Sequence, residues 1–115
     1  MELTEIRVDG AAGVAVKGRI DSTTSWVLGD KLASLVHDGK PRIVVDFTDV
    51  VYISSAGFRA LLIANKLCED AGGQLALCAV DGEVRRLFEI AAFTDLFQIF
   101  SGREEAIAAI KPKAA

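Results

Sequence analysis

The run Ile43-Val44-Val45-Asp46-Phe47 constrains the fold of this chain more than any other stretch. It is short and rich in β-branched residues, and it lacks the polar alternation of a strand with one wet face. It therefore reads as a strand buried on both faces, at the centre of a sheet.

The flanking sequence supplies the rest of an α/β pattern. Leu3-Thr4-Glu5-Ile6-Arg7-Val8 alternates apolar and polar side chains, and Val14 to Ile20 follows after Asp9-Gly10, which predicts a hairpin. Asp21-Ser22-Thr23-Thr24 offers capping side chains to a first helix carrying Leu28, Leu32, Leu35 and Val36 at helical spacing, closed by Gly39 and Pro41. After the central strand, Thr48 to Ile53 reads as a connection. A second helix is expected from about Ser55 to Ala71, stopping at Gly72-Gly73. Its buried stripe is read as Ala60, Ile63, Ala64, Leu67 and Ala71, with Arg59, Lys66 and Asp70 on the wet side. Gln74 to Val80 is another strand, Asp81 a cap for a short helix with Val84, Leu87, Phe88 and Ala91, and Phe97 to Phe100 a last strand. Ser101 and Glu104 have capping-box spacing at the start of a final helix through Ile107 and Ile110, and Pro112 marks the tail. The order ββαβαβαβα predicts a single α/β domain over residues 1–115, a mixed, mostly parallel sheet of about five strands with one antiparallel edge and about four helices.

Composition narrows the function classes. A chain of 115 residues with 51% hydrophobic content suffices for one core. A net charge of −3, with no block of Lys or Arg, is the footprint of neither a nucleic-acid binder nor a polybasic membrane patch. Partners are therefore expected to be proteins. The start of the chain has no basic segment followed by an apolar one, and no apolar run approaches the roughly 18 residues of a membrane span, so the expectation is a cytoplasmic protein, monomeric when free. Cys68 and Cys78 read as buried free thiols. There is no nucleophile pair, metal-ligand cluster or glycine-rich phosphate loop, so neither an enzyme nor a cofactor is expected. His37 stands alone at a helix C-terminus, where the dipole accounts for it. Trp26 lies off the Leu28/Leu32/Leu35 stripe, in a place that suits an interface anchor, a core position or a groove filler.

The chemistry concentrates at Tyr52-Ile53-Ser54-Ser55-Ala56-Gly57-Phe58, where two hydroxyls stand at the mouth of the second helix. A serine there serves as an N-cap. A phosphate is also tolerated there, because a helix start presents unpaired N–H groups and the positive end of its dipole. It adds roughly −1.5 to −2 charges and three strong acceptors to the surface. Asp46 at a strand end superficially suits a receiver-type phosphoacceptor, but the acidic pair and late-strand lysine of such a site have no counterparts.

The segment from Val44 to Gly57, Val-Val-Asp-Phe-Thr-Asp-Val-Val-Tyr-Ile-Ser-Ser-Ala-Gly, resembles the signature of bacterial anti-sigma factor antagonists of the STAS domain family, and the similarity extends through Gly72-Gly73, Leu75 to Val80, Val84 to Glu89 and Phe97 to Phe100. The resemblance implies a phosphoprotein that acts by partner switching. Unphosphorylated, it binds a GHKL-type serine kinase that doubles as an anti-sigma factor; phosphorylation releases that kinase, and a PP2C-type phosphatase restores the serine. By position in the motif the phosphoacceptor is Ser55, with Ser54, where many members carry an acidic residue, as the alternative. The implied partner-binding set comprises Asp21 in the loop after the second strand, Ser54, Ser55 and Gly57, with Arg59 as a rim residue; Asp21 also reads as a helix cap. Two other classes remain as alternatives: a structural or accessory subunit of a stressosome-like or lipid-transport assembly, and a small-molecule sensor with a crevice at the sheet end.

Overall fold

The computed structural model describes residues 1–8 and 10–112; Asp9, in the expected hairpin turn, lies outside the described residues. Strands β1 (Glu2–Val8) and β2 (Ala11–Ile20) pair antiparallel, from Glu2 opposite Lys17 to Val8 opposite Ala11. Strands β3 (Arg42–Ile53), β4 (Gln74–Cys78) and β5 (Gln98–Phe100) then add in parallel, giving a five-stranded sheet in the order β1-β2-β3-β4-β5. Helices α1 (Ser25–His37), α2 (Ser55–Asp70) and α3 (Gly82–Ile90) are the crossovers, and α4 (Arg103–Ile110) follows β5. Each parallel strand joins beside its predecessor in one direction, so crossovers of one hand carry α1, α2 and α3 to the same face.

The central strand has the two-faced burial its sequence predicts. Ile43, Val45 and Phe47 enter the main core with Leu28, Leu32 and Leu35 of α1, Phe58 and Leu61 of α2, and Val84 and Phe88 of α3. Val44 faces the other side, where Ala76 and Cys78 of β4 pack against Ala106 and Ile110 of α4.

Three local expectations are corrected. The stretch Thr48 to Ile53 belongs to β3, which continues past its last pairing with β4, Asp46 opposite Cys78, and stays paired with β2 to Ile20 opposite Ile53. Two register shifts against β2 break the side-chain alternation there, and the Asp46 carboxylate accepts bonds from the Thr48 amide (2.8 Å) and hydroxyl (2.6 Å) at the first. The pattern of a strand is thus disguised by its bulges.

The buried face of α2 is Gly57, Phe58, Leu61, Ala64 and Cys68, whereas Ile63 is 57% exposed and Ala71 lies beyond the helix, exposed at its C-cap. The helix has two apolar stripes, one against the sheet and one beside α1, and periodicity alone does not say which is covered.

The caps also differ. Residue Thr24, not Asp21, is the N-cap of α1. Asp81 holds the N-cap position of α3 without a side-chain cap bond. For α4 the N-cap is Gly102, and the Ser101 hydroxyl bonds Glu105 at 2.5 Å instead of closing a box with Glu104.

Candidate functional site at the mouth of helix α2

The two serines at the start of α2 have different work. Ser54 is the N-cap, with extended backbone; its Oγ accepts the Gly57 amide at 3.4 Å and its own amide donates to the Ile20 carbonyl at 2.8 Å. Ser55 is the first helical residue and exposed, and its hydroxyl has no hydrogen-bond partner among the described residues. The amides of the first turn have no partner within the helix, and no acidic side chain occupies that turn. Apart from the Ser54 cap on the Gly57 amide, no acidic side chain of its own first turn offsets the positive end of α2 beside this free hydroxyl.

Gly57 is buried beneath this mouth, not presented on it. A Cβ there would lie 2.7 Å from Cγ1 of Ile53 and 2.8 Å from Cγ2 of Ile20, so only glycine lets the helix start approach the ends of β2 and β3 this closely. Alanine would gain up to about 1 kcal/mol in helix propensity. Overpacking costs about 1–3 kcal/mol and dominates, because the atoms met are near the main chain. Gly57→Ala is thus expected to lose about 1–2 kcal/mol in urea denaturation; a variant more stable than the parent would show that the contact relaxes freely.

The Ser54–Ile20 bond brings the β2–α1 loop alongside. In that loop Asp21 accepts bonds from the Thr23 amide (3.0 Å) and hydroxyl (2.7 Å) and from the Thr24 hydroxyl (3.2 Å). The Thr23 bonds chiefly hold its carboxyl below the usual range, so Asp21 is anionic at neutral pH and organises the turn ahead of α1. Arg19 adds a pairing invisible in sequence: its guanidinium lies 4.3 Å over the Tyr52 ring and 3.8 Å from Asp21.

An open groove of about 610 Å³ runs between α1 and α2, and both Ser55 and Arg59 line it. Trp26, Gly29 and Ala33 form one wall, and Ala60, Ile63 and Leu67 the other. Trp26 is 64% exposed, and its indole N–H donates to the Thr23 carbonyl at 3.0 Å, which fixes the ring without burying it. The sequence reading identified Trp26 and Arg59 but assigned the Ile63 wall to the core. A stripe of small residues with two large aliphatics, Ile63 and Leu67, beside an off-stripe tryptophan was the available signal.

Asp46 is structural. It is 4% exposed and paired with Arg103 of α4 at 2.5 Å. Burial opposes its ionisation, but the Thr48 bonds and Arg103 outweigh that, and the carboxyl titrates below the usual value. Both cysteines are buried and free; burial pushes the Cys68 thiol to about 11, and burial with the Asp46 charge pushes Cys78 to about 12, so neither is a thiolate at neutral pH. His37 ends α1 as expected. Among the described residues no helix is long and apolar enough to cross a membrane, and no cluster of three acidic, His or Cys ligands is placed for a metal.

The chain is 37% identical to BtrV of Bordetella bronchiseptica, a candidate anti-sigma factor antagonist, over 96% of each protein. A candidate anti-sigma factor antagonist of Thermotoga maritima has the same fold, with a TM-score of 0.86 at 16% identity, covering 94% of this chain and 93% of that one. So does the anti-sigma factor antagonist SpoIIAA in its unphosphorylated and phosphorylated forms, with TM-scores of 0.71 and 0.72 at 15% and 17% identity, covering 94% of this chain and 96% and 98% of those. The STAS domain pattern matches residues 5–106, and with that match and so similar a relative the chain belongs to the STAS domain family.

Proposed function

We propose that this protein is an anti-sigma factor antagonist that works by partner switching in the cytoplasm, with Ser55 as its phosphoacceptor. The observation that carries the reading is the division of labour at the mouth of α2: Ser54 is engaged as the cap, while the Ser55 hydroxyl is exposed and free in a first turn without an acidic side chain. The names of relatives such as BtrV, and the existence of SpoIIAA in both phosphorylation states, support it.

In this mechanism the unphosphorylated surface around Ser55, Asp21 and the α1–α2 groove binds a GHKL-type serine kinase that otherwise holds a sigma factor. The kinase transfers the γ-phosphoryl group of ATP to Ser55 Oγ, the hydroxyl proton passes to a base on the kinase, and ADP leaves. The new dianion opposes desolvation of the contact surface, and the kinase dissociates. A PP2C-type phosphatase hydrolyses the ester and resets the switch. The protein is thus a substrate of enzymes, not a catalyst.

The test is affinity capture from its own cells with the unphosphorylated chain as bait. Recovery of a GHKL-type serine kinase, released when ATP and Mg²⁺ are added, is the expected result; a partner set lacking any kinase overturns the reading. The groove gives this a residue-level check. Trp26→Ala is expected to weaken binding of that kinase at least about tenfold in calorimetric titration, since exposed aromatics anchor such contacts. Its melting temperature should stay close to the parent's, because the ring is mostly in water.

A further inference from the structure

Arg59 stands one helical turn after Ser55, at i and i+4, and both side chains line the same groove. Helical side chains lean toward the N-terminus, so an arginine at this position covers the turn that contains Ser55. Arg59 is exposed and takes part in none of the ion pairs among the described residues. It is also the only cation lining the groove among those residues; Asp30 of α1 is the facing acid, and the two form no salt bridge. Elsewhere on α2, Lys66 is already paired with Asp70 at 3.5 Å.

We propose that Arg59 is an intrahelical receptor for the phosphate on Ser55, so that phosphorylation neutralises within the groove the guanidinium that a partner of the unmodified protein meets. The inference rests on Ser55 being the phosphoacceptor. An acid placed four residues before a base is the favourable order for a helical pair, and a guanidinium matches phosphate oxygens in a bidentate fork. The helix N-terminus adds amide donors on the other side of the same group. Phosphorylation then alters the surface twice, by adding a dianion and by removing the free cation. It also costs the fold nothing, because the added charge is compensated within α2.

The experiment uses the full chain with phosphoserine installed at position 55 by genetic encoding, so that no kinase is needed, and follows the phosphate by ³¹P NMR across its second ionisation. Pairing with Arg59 stabilises the dianion, so the parent should titrate about 0.3 of a pH unit or more below Arg59→Gln. Arg59→Lys, which keeps the charge and loses the fork, should fall between them. The remote charge control Lys66→Gln should titrate with the parent. The difference between the parent and Arg59→Gln should shrink at high salt. Coincident titration of the parent and Arg59→Gln overturns the clamp while leaving Ser55 phosphorylation untouched. Failure to find phosphate on Ser55 in cells would instead defeat the functional reading and leave this pairing measurable.

Discussion

Ser55→Asp is expected to fold as the parent does and to bind the kinase proposed as its partner about 100- to 1000-fold more weakly, a loss of about 3–4 kcal/mol. The fold should survive because Ser55 is exposed, its hydroxyl holds nothing, and a carboxylate at the first position of α2 meets the positive end of the dipole. Stability should even rise by a few tenths of a kcal/mol. Binding should fall because burying the contact surface must dehydrate the added charge. Ser55→Ala removes the acceptor hydroxyl at the same site and should bind at least as tightly as the parent, in the presence of ATP as well as without it. Equal affinity of the Asp variant, measured by titration calorimetry, would mean that charge at this position is not the switch.

Phe88→Ala is expected to destabilise the protein by about 3–5 kcal/mol, a large share of the total for a domain of this size. Phe88 is fully buried where α3 meets the sheet, with edge contacts to Phe47 at 5.8 Å, Phe58 at 4.8 Å and Phe97 at 6.1 Å between ring centroids. Phe58 in turn stacks on Phe93 at 4.5 Å. Removing the ring leaves a cavity walled by rings from β3 and α2 that are themselves held by neighbours, so collapse is limited. Phe58 belongs to the first turn of α2, so the loss should reach the Ser55 site and lower affinity for the proposed kinase with stability. Urea denaturation reads the first effect; a loss below about 1 kcal/mol would show that the aromatic cluster repacks.

The parts of this fold that were legible in sequence are those governed by short-range pattern. The apolar run at Ile43 to Phe47 announced a strand covered on both faces, and α1 and α2 end close to Gly39 and Gly72, as their glycines indicated. What escaped was decided by contacts between distant residues. Asp46 and Arg103 are 57 residues apart, and Arg19 meets Tyr52 only because β2 and β3 pair. The strand Thr48 to Ile53 was concealed by bulges that cancel the period of two. Ile63 was assigned to the core because a stripe facing a neighbouring helix has the same period as a stripe facing the sheet. The same ambiguity hid the groove. At the site itself, position in the motif named Ser55 with Ser54 as the alternative, while the geometry adds which oxygen caps α2 and which hydroxyl is free.

The most direct test of the switch is peptide mass spectrometry of the protein taken from its own cells, on the tryptic fragment from Ile43 to Arg59. Partial phosphate occupancy on Ser55, changing with growth condition, is the predicted result. Phosphate on Ser54 alone, or none on either hydroxyl under any condition, would contradict it.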